Sequence, residues 1–246
     1  MKKVIRRFLG RLRFKYKNTK IKKMIFITGM GHSGTSILRK IIGNHHGVFD
    51  VLNEADNLYG ATIPSKYEFV VYKFPRKDFS FLDDSHQADS RFISVSIIRD
   101  PRDVFCSHRK RSGGSCDAPA LIEEWIRHTE TALNLEKQSY GYLTQYEKLF
   151  ENNYEGVKMI FDWIGLDSAQ ECIEVNAQRK VSINTKTIPD REPVRFENNV
   201  LFRSWQINQP VKQMSGAWRN ELDTATQKIF DKDRRLCELM ARFNYI

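Results

Sequence analysis

The stretch from Met24 to Ile42, MIFITGMGHSGTSILRKII, constrains this chain more than any other. It opens on an apolar run, Met24 to Ile27, with the profile of a buried parallel strand. Gly29, Gly31 and Gly34 follow, and then Ile37, Leu38, Ile41 and Ile42 recur at helical spacing. Strand, glycine-rich turn and helix in that order make a cradle for an anion. Glycines let the backbone approach the ligand closely, and the free N–H groups at the helix start face it.

The remainder of the chain reads as more of the same alternation. Val48 to Leu52 is a short extended segment, and Glu68 to Phe74 is a buried strand closing on Lys73-Phe74-Pro75. Residues 76–91 are a polar connection, a loop or a short helix. Phe92 to Ile98 is a third strong strand, after which Asp100 and Pro101 start a helix as cap and first helical residue. A flexible break at Ser112 to Ser115 precedes a long helix from Pro119 to Lys137, and Tyr142 to Tyr146 reads as a further short strand. Helices are expected over Val157–Ile164 and Ala169–Val175, and a final one from Thr224 to Phe243. Residues 181–216, with no steady period, read as a long excursion with the character of a lid. Strands alternating with helices predict a three-layer α/β/α domain over residues 24–246 with a largely parallel central sheet.

Charge separates the first residues from that domain. Of 40 Lys and Arg against 30 Asp and Glu, eleven cations and no acid fall in residues 1–23, so the body of the chain is nearly neutral. Within this arm Val4, Ile5, Phe8, Leu9 and Leu12 share one helical face with cations on the others. Such a helix can lie on an anionic membrane surface, each cation near the headgroups contributing about 1 kcal/mol. A solvated basic arm is the plainer reading, and nucleic acid is disfavoured because the basicity does not extend over the domain. Hydrophobic content of 41% argues against global disorder. No apolar run approaches the roughly 18 residues a spanning helix needs. Cys106, Cys116, Cys172 and Cys237 lack metal-ligand spacing and read as reduced thiols of a cytoplasmic protein.

The loop itself admits three readings. Gly29, Gly31 and Gly34 satisfy GxGxxG, with Asp50 or Glu54 about twenty residues on, as in dinucleotide-binding folds. Gly29, Gly34 and Ser36 nearly complete a P-loop, but Thr35 stands where the phosphate-binding lysine belongs, which argues against an ATPase or kinase. The third reading uses the whole string GHSGTSILRKII together with a second, SIIRDPRDVFCSHRKR at residues 96–111.

These two strings resemble the 5′-phosphosulfate loop and the 3′-phosphate-binding segment of sulfotransferases that use 3′-phosphoadenosine 5′-phosphosulfate (PAPS). The resemblance spans about residues 24–220 and is closest to bacterial, tyrosylprotein and carbohydrate-type members. It implies a P-loop-like fold and sulfuryl transfer to a hydroxyl or amine acceptor; no metal is implied, since the sequence lacks oxygen-ligand clusters with the right spacing. It also implies that Gly31, His32, Ser33, Gly34, Thr35 and Ser36 hold the phosphosulfate while Arg99 and Ser107 hold the 3′-phosphate. His32 stands where relatives place Lys or Arg; either it serves as the cation or that role passes to Arg39, Lys73 or another base. The segment IIGNHHGVFDVLNEADN carries the family's spacing to an acid, making Glu54 the candidate general base, with Asp56 the weaker alternative. Lys73 resembles the lysine ending the family's next strand and would face the sulfate or leaving group. LTQYEKL, residues 143–149, resembles a structural segment of the family. QPVKQMSGAWRNEL, residues 209–222, resembles the stretch that closes over the cofactor, with Trp218 and either Lys212 or Arg219 in contact with it. Read without the resemblance, Arg99 is a strand-end ion-pairing residue, Ser107 and Lys73 are solvated, Glu54 is a surface acid and Trp218 is core packing. His32 and Ala217, which depart from the family, keep open a weakly active or inactive nucleotide-binding module. A Rossmann-type oxidoreductase must treat the second string as coincidence.

Overall fold

A computed structural model of the chain describes residues 18–51, 63–74, 78–181, 187–193, 199–209 and 215–246. The expected basic arm over 1–23 falls mostly outside the described residues, as do Glu54, Asp56 and Lys212.

Among the described residues five strands form one sheet: β1 (Lys23–Gly29), β2 (Val48–Asp50), β3 (Phe69–Lys73), β4 (Phe92–Ile98) and β5 (Gly141–Gln145). Their spatial order is β2-β3-β1-β4-β5, and every pairing is parallel. Helices cover both faces, so β1, β3 and β4 are buried almost throughout, Ser94 and Ser96 of β4 included, and no strand of the three turns an exposed polar face to solvent. The edge strand β5 is only half-buried along most of its length. The three-layer α/β reading therefore holds, with β1 at the centre of the sheet.

Helix α1 (Thr35–Gly43) returns along the sheet from the end of β1, burying Leu38, Ile41 and Ile42 completely. Helix α2 (Phe79–Ala88) fills the connection that the sequence left as a loop or short helix, its start capped by Asp78, which accepts from the Phe81 N–H at 2.9 Å. Helix α3 (Pro101–Arg111) begins where proline and Asp100 predict, and α4 (Ala118–Glu136) is the long helix. Next come α5 (Tyr146–Leu149), α6 (Glu151–Ile164) and α7 (Gln170–Gln178). At the base of the sheet Lys23 Nζ donates to the Ile164 carbonyl at 2.8 Å, a cation at a helix C-terminus.

Two expectations need correction. The excursion over 181–216 contains a helix, α8 (Asn199–Ile207), which buries Phe202 and Ile207 and is pinned to α1 by Lys40 Nζ donating to the Ile207 carbonyl at 3.0 Å. Desolvation lowers the Lys40 pKa there. After the short α9 (Trp218–Glu221), the final helix is two, α10 (Thr224–Lys232) and α11 (Arg234–Arg242). Asp233 adopts an extended conformation between them and caps the second by accepting from the Leu236 N–H at 2.9 Å. An aspartate there competes with helix continuation by offering its side chain as a cap. All four cysteines are free thiols.

Candidate active site

The site begins where β1 stops. Gly29 has φ of 141°, and a Cβ there would lie 2.5 Å from the Ile97 carbonyl oxygen of β4, so only glycine permits the chain to leave the sheet between β1 and β4. The loop then passes through the left-handed region twice, at His32 (φ 72°) and Gly34 (φ 93°). At Gly34 a Cβ would meet the Tyr146 ring at 2.5 Å. Gly34 also occupies the N-cap position of α1, where it supplies no side-chain acceptor, and no acid sits in the first turn. The N–H groups of Thr35 and Ser36 have no acceptor among the described residues. A helix start left uncompensated beside a backbone cradle suits an anion. Ser33 and Thr35 are buried within the loop, while Gly31, His32 and Ser36 are half-buried.

The second motif closes the same region from β4. Arg99 follows the last strand residue and is 7% exposed. Its guanidinium lies 4.4 Å from the Tyr146 ring centre, and its Nη1 donates to the His32 carbonyl at 3.1 Å. The Trp125 indole N–H donates to the Arg99 carbonyl at 2.8 Å, fixing the main chain at this turn. Eight residues on, in α3, Ser107 Oγ shares a 2.9 Å hydrogen bond with His32 Nδ1. The His108 ring stands edge-on to His32 with centroids 5.3 Å apart. The two strings are thus joined through one residue: the His32 carbonyl meets Arg99 and its imidazole meets Ser107.

The C-terminal stretch reaches α3 as well. Both oxygens of Asp103 are engaged by it, accepting from Gly216 N–H at 2.7 Å and Trp218 N–H at 2.9 Å. Burial raises the Asp103 pKa, and these two N–H bonds oppose the rise. Two guanidinium groups approach the Trp218 ring, Arg102 at 3.7 Å and Arg219 at 4.7 Å from its centre. Trp218 is therefore a half-buried stacking platform attached to α3, and it also packs against a buried cluster that includes Phe105, Trp125, Phe230 and Met240. Lys73 is 7% exposed at the end of β3, paired in register with Ile27 two residues before Gly29. Arg39 does not face the sheet ends freely: its Nε lies 3.5 Å from Asp50 Oδ1 in a buried ion pair.

Sequence reasoning missed the residues that hold these groups. Tyr146 packs against both Arg99 and Gly34, although its segment reads only as structural. Asp103 and Arg102 are hidden inside a motif whose Arg and Ser attract attention. Their spacing in Asp-Pro-Arg-Asp at a helix start is the one available signal, since it puts a capping acid before the first turn and a cation and a second acid within it.

Residues 88–244 match the sulfotransferase domain family, a span holding Arg99, Ser107 and Trp218. The chain belongs to the sulfotransferase family. The glycine loop after β1 lies before the matched span. The fold is shared with mouse sulfotransferase SULT7A1 complexed with PAP (TM-score 0.60, 15% identity, 93% of this chain and 88% of that one). It is shared too with the sulfotransferase domain of the Synechococcus PCC 7002 olefin synthase (TM-score 0.64, 14% identity, covering 92% and 96%). A third likeness is to retinol dehydratase in complex with androsterone and inactive cofactor PAP (TM-score 0.54, 14% identity, covering 94% and 85%). No curated protein matches the chain significantly in sequence. The dinucleotide-binding reading of the sulfotransferase loop fails on topology. In that fold the second strand neighbours the first and ends in the ribose-binding acid. Here β3 intervenes between β1 and β2, and Asp50 is paired with Arg39.

Proposed function

We propose that this sulfotransferase uses PAPS as its donor and sulfates a hydroxyl or amine acceptor. The observation that carries the reading is the double tie of His32 to Arg99 and Ser107, which brings the two anion-binding motifs within one hydrogen bond of each other. The donor set fits a nucleotide with phosphates at both ends: a glycine cradle and open helix start on one side, and a buried guanidinium with a neighbouring hydroxyl on the other.

When bound, the cofactor supplies a sulfuryl group activated as a mixed anhydride with phosphate. Gly31, His32, Ser33, Gly34, Thr35 and Ser36 hold the phosphosulfate by main-chain N–H and hydroxyl donors, Arg99 and Ser107 hold the 3′-phosphate, and Trp218 with Arg219 closes over the nucleotide. His32, held at Nδ1 by Ser107, faces an oxygen on which charge develops, and as imidazolium it adds a positive charge there. Lys73 shares that neutralising task. Glu54 takes the proton of the acceptor hydroxyl. The acceptor class is a carbohydrate, lipid-linked or small-molecule hydroxyl; the androsterone complex of retinol dehydratase supports a hydroxyl-bearing ligand in this fold.

PAP should raise the melting temperature of the protein while NAD and ATP leave it unchanged; indifference to PAP ends the reading. Glu54→Gln should then abolish turnover and keep PAP affinity, and equal activity removes Glu54 as the base. For the arm over residues 1–23 we propose attachment to an anionic membrane surface on the cytoplasmic side. Pelleting with anionic liposomes should be lost at high salt and on deletion of residues 1–20. Pelleting that survives the deletion excludes the arm.

A further inference from the structure

Three segments remote in sequence meet behind Arg99: the start of α3, the junction of β5 with α5, and the last few residues of the chain. The Tyr245 hydroxyl donates to Glu147 Oε2 at 2.9 Å, and Glu147 Oε1 accepts from the main-chain N–H of Asp100 at 3.1 Å. Arg102 forks onto the Asp100 carboxylate at 2.9 and 2.7 Å, and its Nη2 also donates to the Tyr245 carbonyl at 2.6 Å. Gln145 Nε2 donates to the Phe243 carbonyl at 2.8 Å. Asn244, in the left-handed region at φ 57°, makes the turn between Phe243 and Tyr245.

Tyr146, the ring on which Arg99 stacks, lies between Gln145 and Glu147. Both of its neighbours are therefore bonded to the C-terminal segment. The residue after Arg99 is bonded to one of those neighbours. Burial raises the Glu147 pKa, and the Asp100 N–H and Tyr245 hydroxyl pull against that rise. A buried carboxylate is costly unless its hydrogen bonds are made, so an acid here holds its donors in a fixed geometry that an apolar residue would not impose.

We infer that the segment Phe243–Tyr245 is a latch on the 3′-phosphate site, and that Tyr245 and Glu147 are positioning residues that set Arg99 through Asp100 and Tyr146. This rests on the PAPS reading above. The consequence is specific: loosening the latch weakens recognition of the 3′-phosphate and leaves the rest of the nucleotide site as it was.

Affinities for PAP and for adenosine 5′-phosphate, which lacks the 3′-phosphate, test it by calorimetric titration of the wild type, Tyr245→Phe and Glu147→Gln. The wild type should prefer PAP strongly. Tyr245→Phe should lose about tenfold in PAP affinity, the scale of one hydrogen bond to a charged group, and less than about twofold for adenosine 5′-phosphate. Glu147→Gln should behave alike, and the double variant should lose less than the two effects combined. Circular dichroism of each unliganded variant checks that the fold persists. Should Glu147→Gln not fold, Tyr245→Phe decides alone. A wild type that prefers PAP, with variants that keep the preference or lose both ligands equally, overturns the latch and leaves the cofactor reading standing. A wild type without preference for PAP overturns both.

Discussion

His32 Nδ1 and Ser107 Oγ lie 2.9 Å apart, linking the loop after β1 to the helix after β4. On the proposed reading these two elements hold the two phosphate ends of the nucleotide, and His32 is the side chain that ties them together. Losing the imidazole should affect transfer more than binding, because the loop's main-chain donors remain. His32→Ala is expected to lower kcat by about a hundredfold, the usual scale for one positioned donor at a developing charge. PAP affinity should fall by about tenfold or less. Ser107→Ala should reverse the order, weakening PAP more than kcat. Steady-state kinetics with a parallel PAP titration separates the two.

The backbone at the same residue makes a second, independent prediction. His32 holds φ of 72° without being glycine, a conformation that costs a side-chain-bearing residue about 1 kcal/mol. His32→Gly should therefore be more stable than His32→Ala by about 1 kcal/mol in urea denaturation, while both lack the imidazole and share its catalytic loss. Equal stability would mean that the loop relaxes out of the left-handed region.

Gly34 has no such latitude. Its φ of 93° and the Tyr146 ring at 2.5 Å from a would-be Cβ act together. The ring cannot retreat easily, since Arg99 stacks on it at 4.4 Å. Gly34→Ala is expected to cost about 2–4 kcal/mol of stability and to displace Arg99 with it. Thermal denaturation and PAP binding should fail in the same variant.

The sequence makes some of this geometry readable and hides the rest for a physical reason. Strand β1, the glycine loop and α1 are consecutive, and each has a local signature: a doubly buried apolar run, glycines at forbidden dihedrals and an apolar helical stripe. Arg99 and Ser107 are eight residues apart on a strand end and helix, again a local pattern. Tyr146 beneath Arg99, and Tyr245 against Glu147, are contacts across 47 and 98 positions. Residue order carries no mark of such contacts, because any tyrosine can be core packing. The break at Asp233 was legible in principle, since aspartate is a good cap, but an apolar period running through it favoured one long helix. Helix α8 spans only nine residues, too few turns for its period to stand out between prolines.

Asp50 gives the prediction with the clearest sign. It ends β2 with its carboxylate 3.5 Å from Arg39 Nε, and its side chain is 12% exposed. Gly43 leaves the room it occupies, because a Cβ there would come within 2.8 Å of it. Burial pushes the Asp50 pKa up to about 6, and the attraction of Arg39 offsets that only in part. The folded protein thus binds this proton more tightly than the unfolded chain. The stabilisation is fully present below the unfolded pKa near 4 and is lost as pH rises through about 6. A shift of about two units corresponds to about 3 kcal/mol at most across that window. Asp50→Asn removes the titration, so its stability relative to wild type should rise between pH 4.5 and 7.5. Other acids titrate alike in both proteins and cancel in the difference. Urea denaturation of the pair at pH 4.5, 6 and 7.5 reads it directly. A difference that stays flat, or falls with pH, would mean that Arg39 holds the carboxylate ionised against its burial.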